Sequence, residues 1–82
     1  MTVPVWKFLV AADRYVPLPD DASFAFKGCL AVAAAANEWE AKELIKRYGT
    51  EFGMDTRWLV VATVIKLGMD ATAPGVIAMA ML

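Results

Sequence analysis

The chain has 82 residues, the length of one small domain, and 60% of them are apolar, whereas globular domains average about 45–50%. Nine acidic and eight basic residues leave a net charge of −1, so the basic excess typical of nucleic-acid binding is missing. Histidine is absent and Cys29 is the only cysteine, which excludes an internal disulfide and leaves too few ligands for a zinc site.

Residues 2–15 fit either a helix or a strand. Thr2 can cap a helix that holds Pro4 in its first turn, where proline is tolerated. The valines and aromatic residues from Val3 to Val10 favour a strand instead. We expect the helix and keep the strand as the alternative. The two prolines within 16–19 then predict an extended connector.

The stretch 21–48 is predicted to form one long helix. An aspartate stands at its start, the run 31–36 is rich in alanine, and Gly49 offers a left-handed stop. Such a helix would be roughly 42 Å long, whereas a domain of this size should be only about 30 Å across. Because the apolar stripe changes direction near Asn37, we expect a kink or a new packing partner there.

The segment from Trp58 to Leu67 is apolar apart from Thr63 and Lys66, and we predict a central helix over 55–68. A helix that is apolar on nearly all sides must be enclosed, so it should lie in the core. The same segment is rich in β-branched residues, which keeps a strand open as the alternative. A last helix is predicted from Thr72 to the end of the chain, with a proline in its first turn.

These elements predict an all-α fold: a single domain over residues 1–82 with three to four helices, a long helix 21–48 and a buried central helix 55–68. The alternative is an α+β fold with strands at 3–10 and 57–66.

The sequence offers no arrangement of catalytic groups. Ser23 and Cys29 have no neighbouring base to activate them, and we predict that Cys29 is a buried, inert thiol. The carboxylates of 38–43 alternate with lysine, which is typical of a solvated helix face. We therefore expect no enzyme, no catalytic residue, no cofactor and no bound metal.

Nucleic-acid binding and membrane insertion are both disfavoured. A helix-turn-helix over 41–68 would present only Arg57 to the major groove. The apolar segments 58–67 and 74–82 are too short to span a bilayer, and the last segment lacks the basic residues of a peripheral helix. The N-terminus does not fit a signal peptide, so we expect a cytoplasmic protein.

The surplus of apolar residues predicts a surface that another protein covers. We expect a small non-enzymatic protein–protein interaction module. By analogy with a class of small proteins, it would resemble those that phages encode to inhibit a host protein machine. The alternatives are a self-assembling structural subunit, which would form a homo-oligomer, and a membrane-associated small protein.

The predicted binding residues form two groups. Trp39 is an aromatic anchor flanked by Glu38 and Glu40, and helical spacing places it opposite Leu44. Met79 and Met81 would supply a flexible apolar contact. The alternative is structural: Trp39 packs over the first element and the methionines fill the core.

Overall fold

The structure, a computed structural model, describes residues 1–11, 14 and 28–81, with the backbone alone for Met81. Within these residues the chain forms β1 (Val3–Ala11), β2 (Gly28–Ala34), α1 (Glu38–Glu51), a 3₁₀ helix (Arg57–Val61), β3 (Thr63–Ala71) and β4 (Gly75–Met81). The strands make one antiparallel sheet in the order β3-β1-β2-β4. The fold is α+β and mainly strand.

The predicted all-α fold is therefore wrong. The helix expected over 2–15 is β1, close to the alternative strand at 3–10. The central helix 55–68 does not form, because its residues make the 3₁₀ helix and most of β3, and the alternative strand at 57–66 begins six residues too early. The last predicted helix is β4. The connector at 16–19 lies outside the described residues.

The long helix 21–48 is also wrong in its first half, since residues 28–34 form β2 and 21–27 lie outside the described residues. β2 pairs with β1 on one side and β4 on the other, and the side chains of Ala31 and Ala33 are fully buried. Alanine favours a helix over most residues by well under about 1 kcal/mol each. Pairing on both edges and close packing beneath α1 outweigh that preference.

The apolar stretch 58–67 is divided between two elements. Trp58 and Leu59 are buried in the 3₁₀ helix, whereas Val60 is 78% exposed. In β3 the side chains alternate between the two faces, so that Val64 packs on the core and Ile65 lies 42% exposed on the opposite face. The apolar residues of this stretch therefore do not surround one helix. Those in β3 are divided between the two faces of the sheet.

α1 begins at a side-chain cap, and residues 38–48 are helical as predicted. The Asn37 side-chain oxygen accepts a hydrogen bond from the Glu40 backbone N–H at 2.9 Å. Asn37 has extended backbone angles, so it marks the point where the chain leaves the sheet and enters the helix. The kink or new packing partner expected near Asn37 within one long helix is therefore wrong, because a strand ends and a helix begins there.

The cap predicts a measurable loss of stability. Asn37→Ala should lower the free energy of unfolding by about 1 kcal/mol, because one N–H of the first turn loses its acceptor. Asn37→Asp keeps an acceptor and should stay within about 0.5 kcal/mol of the original protein. Urea unfolding followed by circular dichroism measures both. Equal losses for the two variants would contradict the role of the side-chain oxygen.

α1 ends at Glu51, and the left-handed glycine that follows its cap is Gly53, not the predicted Gly49, which lies inside the helix. Gly53 has a φ of 69°, and its N–H donates to the Thr50 carbonyl at 3.2 Å. The Met54 N–H donates to the Gly49 carbonyl at 2.7 Å, which completes a Schellman motif. The motif turns the chain back toward the sheet, where the 3₁₀ helix adds two side chains to the core.

The core lies between one face of the sheet and the two helical elements. It consists of buried apolar side chains: Phe8, Val10, Cys29, Ala31, Ala33, Ala35, Ala41, Ile45, Trp58 and Leu59. α1 packs across β2 and β4. One flank of α1 and most of the opposite face of the sheet, where Val5 and Ala34 are nevertheless buried, therefore remain outside this core.

Candidate protein-binding surface

A groove of about 320 Å³ runs along the flank of α1. Its walls are formed by Trp39, Glu40, Glu43, Leu44, Arg47 and Pro74. Trp39 is 68% exposed, one of the largest exposures of an aromatic side chain in the described residues. The groove thus combines an accessible indole with an apolar floor and a charged rim.

Helical periodicity and one loop position the groove. Residues 39, 40, 43, 44 and 47 recur at the spacing of a single helix side. Leu44 packs against the core, whereas Trp39 lies in the first turn of α1, shortly after the Asn37 cap. Pro74 comes from the short connection that leads into β4. Trp39 and Leu44, which the five-residue spacing sets far apart around the helix, both line the groove.

Three charged side chains surround the apolar part of the groove: Glu40, Glu43 and Arg47. None of them forms an ion pair or a side-chain hydrogen bond with another residue of the described chain. Their charges are therefore available to a docked molecule. An apolar centre with a polar rim is the usual composition of a protein-binding site.

The predicted binding residues do not form one site. Glu38, Trp39 and Glu40 are exposed in the first turn of α1, and Trp39 does not pack over the first element. Met79 is only partly exposed and packs against the core, as its structural alternative predicted. The side chain of Met81 lies outside the described residues. Sequence reasoning missed four residues of the groove, Glu43, Leu44, Arg47 and Pro74, and nothing in the sequence brings that proline to α1.

The sheet face opposite α1 forms a second apolar surface. Residues directly paired across neighbouring strands share a face, so the register identifies its members. They are Val5, Lys7, Leu9, Leu30, Val32, Ala34, Thr63, Ile65, Ala78 and Ala80. Eight of these ten residues are apolar, and no described helix lies over them, although Val5 and Ala34 are buried.

Cys29 is buried as predicted, with 4% of its surface exposed. Burial, and to a smaller extent the charge of Asp55, raise the pKa of the Cys29 thiol, so it stays protonated at neutral pH. Among the described residues, no three acidic, cysteine or histidine side chains lie together as a metal site. In the same part of the chain, no helix has the length and apolar character needed to cross a membrane.

No protein-family model matches the chain, and no curated protein or solved structure matches it significantly. No relative therefore indicates a function, which has to be inferred from the surfaces described above.

Proposed function

We propose that this protein is a non-enzymatic protein-binding module that docks its partner against the groove on α1. The observation that carries the proposal is the exposed indole of Trp39 beside that groove. An exposed tryptophan of this kind is the residue type most often responsible for binding energy at protein interfaces. Leu44 and Pro74 offer it apolar neighbours, so a partner side chain inserted there would be desolvated on several sides.

The charges of the rim support the same proposal. Glu40, Glu43 and Arg47 have no partners within the described chain, so a complementary surface can pair with them. Charge pairs at the rim of an interface mainly orient the partner and speed its association. The apolar centre provides the affinity and the charged rim selects the partner.

Substitution of Trp39 tests the proposal. Trp39→Ala should weaken partner binding by at least about 2 kcal/mol, which is roughly a thirtyfold rise in Kd. The partner is first captured from the native cell with the original protein and identified by mass spectrometry. Its affinity for purified variants is then measured by isothermal titration calorimetry.

Phe52 provides the matched control. It is 67% exposed, nearly the same as Trp39, and lies at the other end of α1, where its ring contacts Tyr48 with centroids 4.8 Å apart. Phe52→Ala should leave the Kd within about twofold of the original, because it does not line the groove. Equal binding by the Trp39→Ala variant and the original protein would refute docking on this groove.

A further inference from the structure

Among the described residues, nothing pairs with the outer edge of β4, which is therefore available to another strand. β4 is the last strand of the sheet on its side, and no described strand pairs with its outer edge. From Gly75 to Ala80 it has no charged residue and no proline. Its one irregularity is the extra residue Ile77, whose side chain is 57% exposed and adds apolar surface. Unpaired backbone groups along a neutral strand are a template for strand addition.

The opposite edge of the same sheet is protected. β3 carries the charges of Lys66 and Asp70. Between these two residues its register with β1 shifts, and Gly68 has a φ of 75°, a conformation that favours glycine. Charges on an edge strand oppose edge-to-edge pairing. Both edge strands have a bulge, so the absence of charge along β4 is what identifies it as the edge at which pairing is tolerated.

We propose that β4 pairs with β4 of a second copy of this chain. The two strands run antiparallel about a two-fold axis perpendicular to the sheet, and the result is one continuous sheet with twice the four strands of a single copy. A second copy fits because both edges are neutral, so the pairing opposes no like charges along the strands. The inference rests on the proposed protein-binding function, for which it names the partner.

The position of α1 supports this arrangement. α1 packs across β2 and β4, and neighbouring strands are about 4.8 Å apart. Its axis would therefore lie about 5 Å from the two-fold axis, and the two copies of α1 about 10 Å from each other. Helices that pack directly are about 8–10 Å apart. Strand pairing thus brings the groove sides of the two helices into contact.

The mass of the protein in solution gives the first test. Sedimentation equilibrium of the full chain should report twice the single-chain mass of 8.9 kDa. Ala78→Lys and Ala78→Glu each place like charges next to the two-fold axis and should raise the dimer Kd by about tenfold or more. Ala78 is exposed, so these side chains meet solvent in the monomer.

Mixing the two variants separates dimer contacts from folding defects. An equimolar mixture of Ala78→Lys and Ala78→Glu should recover the dimer, because opposite charges then face each other. Thr63→Lys is the matched control, since Thr63 is exposed on the same face at the protected edge. It should leave the dimer Kd within about twofold, as a substitution outside the contact does.

A single-chain mass at every concentration would overturn the proposed dimer. The same holds if the mixture of Ala78→Lys and Ala78→Glu fails to recover the dimer, or if Thr63→Lys raises the dimer Kd as much as these variants do. These results are distinct from failure of the proposed function. If the protein is a monomer that binds a different protein through Trp39, the proposed function stands and the second copy is not the partner. If a β4-paired dimer forms and Trp39→Ala affects no binding, the dimer stands and docking on the groove is refuted.

Discussion

Replacing Trp58 with alanine is expected to lower the free energy of unfolding by about 3–5 kcal/mol. Trp58 is 1% exposed and is the largest fully buried side chain in the described chain. It joins the 3₁₀ helix to the core formed by the sheet and α1. Its truncation would leave a large cavity in a domain that is small enough to have a narrow margin of stability.

Trp58→Phe should cost far less, about 1–2 kcal/mol. The Trp58 indole N–H is buried without an acceptor among the described residues, whereas the Trp6 indole N–H donates to the Ala35 carbonyl at 3.0 Å. Phenylalanine keeps most of the apolar volume and removes the unsatisfied donor. The stability lost with the smaller buried apolar area and the stability gained by removing the unsatisfied N–H donor therefore partly cancel.

Urea unfolding followed by circular dichroism measures these free energies, at one fixed protein concentration because a dimer would make stability depend on it. Val60→Ala is the control, since a side chain that is 78% exposed and lies outside the groove should change stability by no more than about 0.5 kcal/mol. Equal costs for the alanine variants at positions 58 and 60 would contradict the central position of Trp58.

Gly49→Ala is expected to lower the free energy of unfolding by about 1–3 kcal/mol. Helix propensity alone predicts the opposite sign, a gain of about 1 kcal/mol. Gly49 is buried at the closest approach of α1 to the loop that follows it. A Cβ at this position would overlap the Thr56 side-chain methyl group and touch the Met79 Cε at 3.4 Å.

A double-mutant cycle isolates that overlap. Thr56→Ser removes the methyl group that a Cβ at position 49 would meet. In the Thr56→Ser background, Gly49→Ala should cost at least about 1 kcal/mol less than in the original protein. If Gly49→Ala stabilises the protein, or costs the same in both backgrounds, the close approach of α1 to Thr56 is not what excludes a side chain there.

The candidate groove could be predicted only in part. Trp39 and Glu40 stand out in the sequence because a tryptophan among charged residues is unusual on a helix face, and the structure places both at the groove. Arg47 lies two turns further along the same side of α1, where helical spacing alone could have found it. Pro74 was beyond sequence reasoning, because it reaches α1 through the pairing of β4 with β2, and its context also fits the first turn of a helix.

The sequence by itself determined two local features of this protein, the helix over 38–48 and the burial of Cys29. Only the tertiary structure decided the state of 28–34 and 63–71. An alanine-rich run and a β-branched run are each compatible with helix or strand by local preference, which differs by less than about 1 kcal/mol per residue. Pairing of both segments with β1, far away in the sequence, supplies hydrogen bonds and burial that no local pattern records.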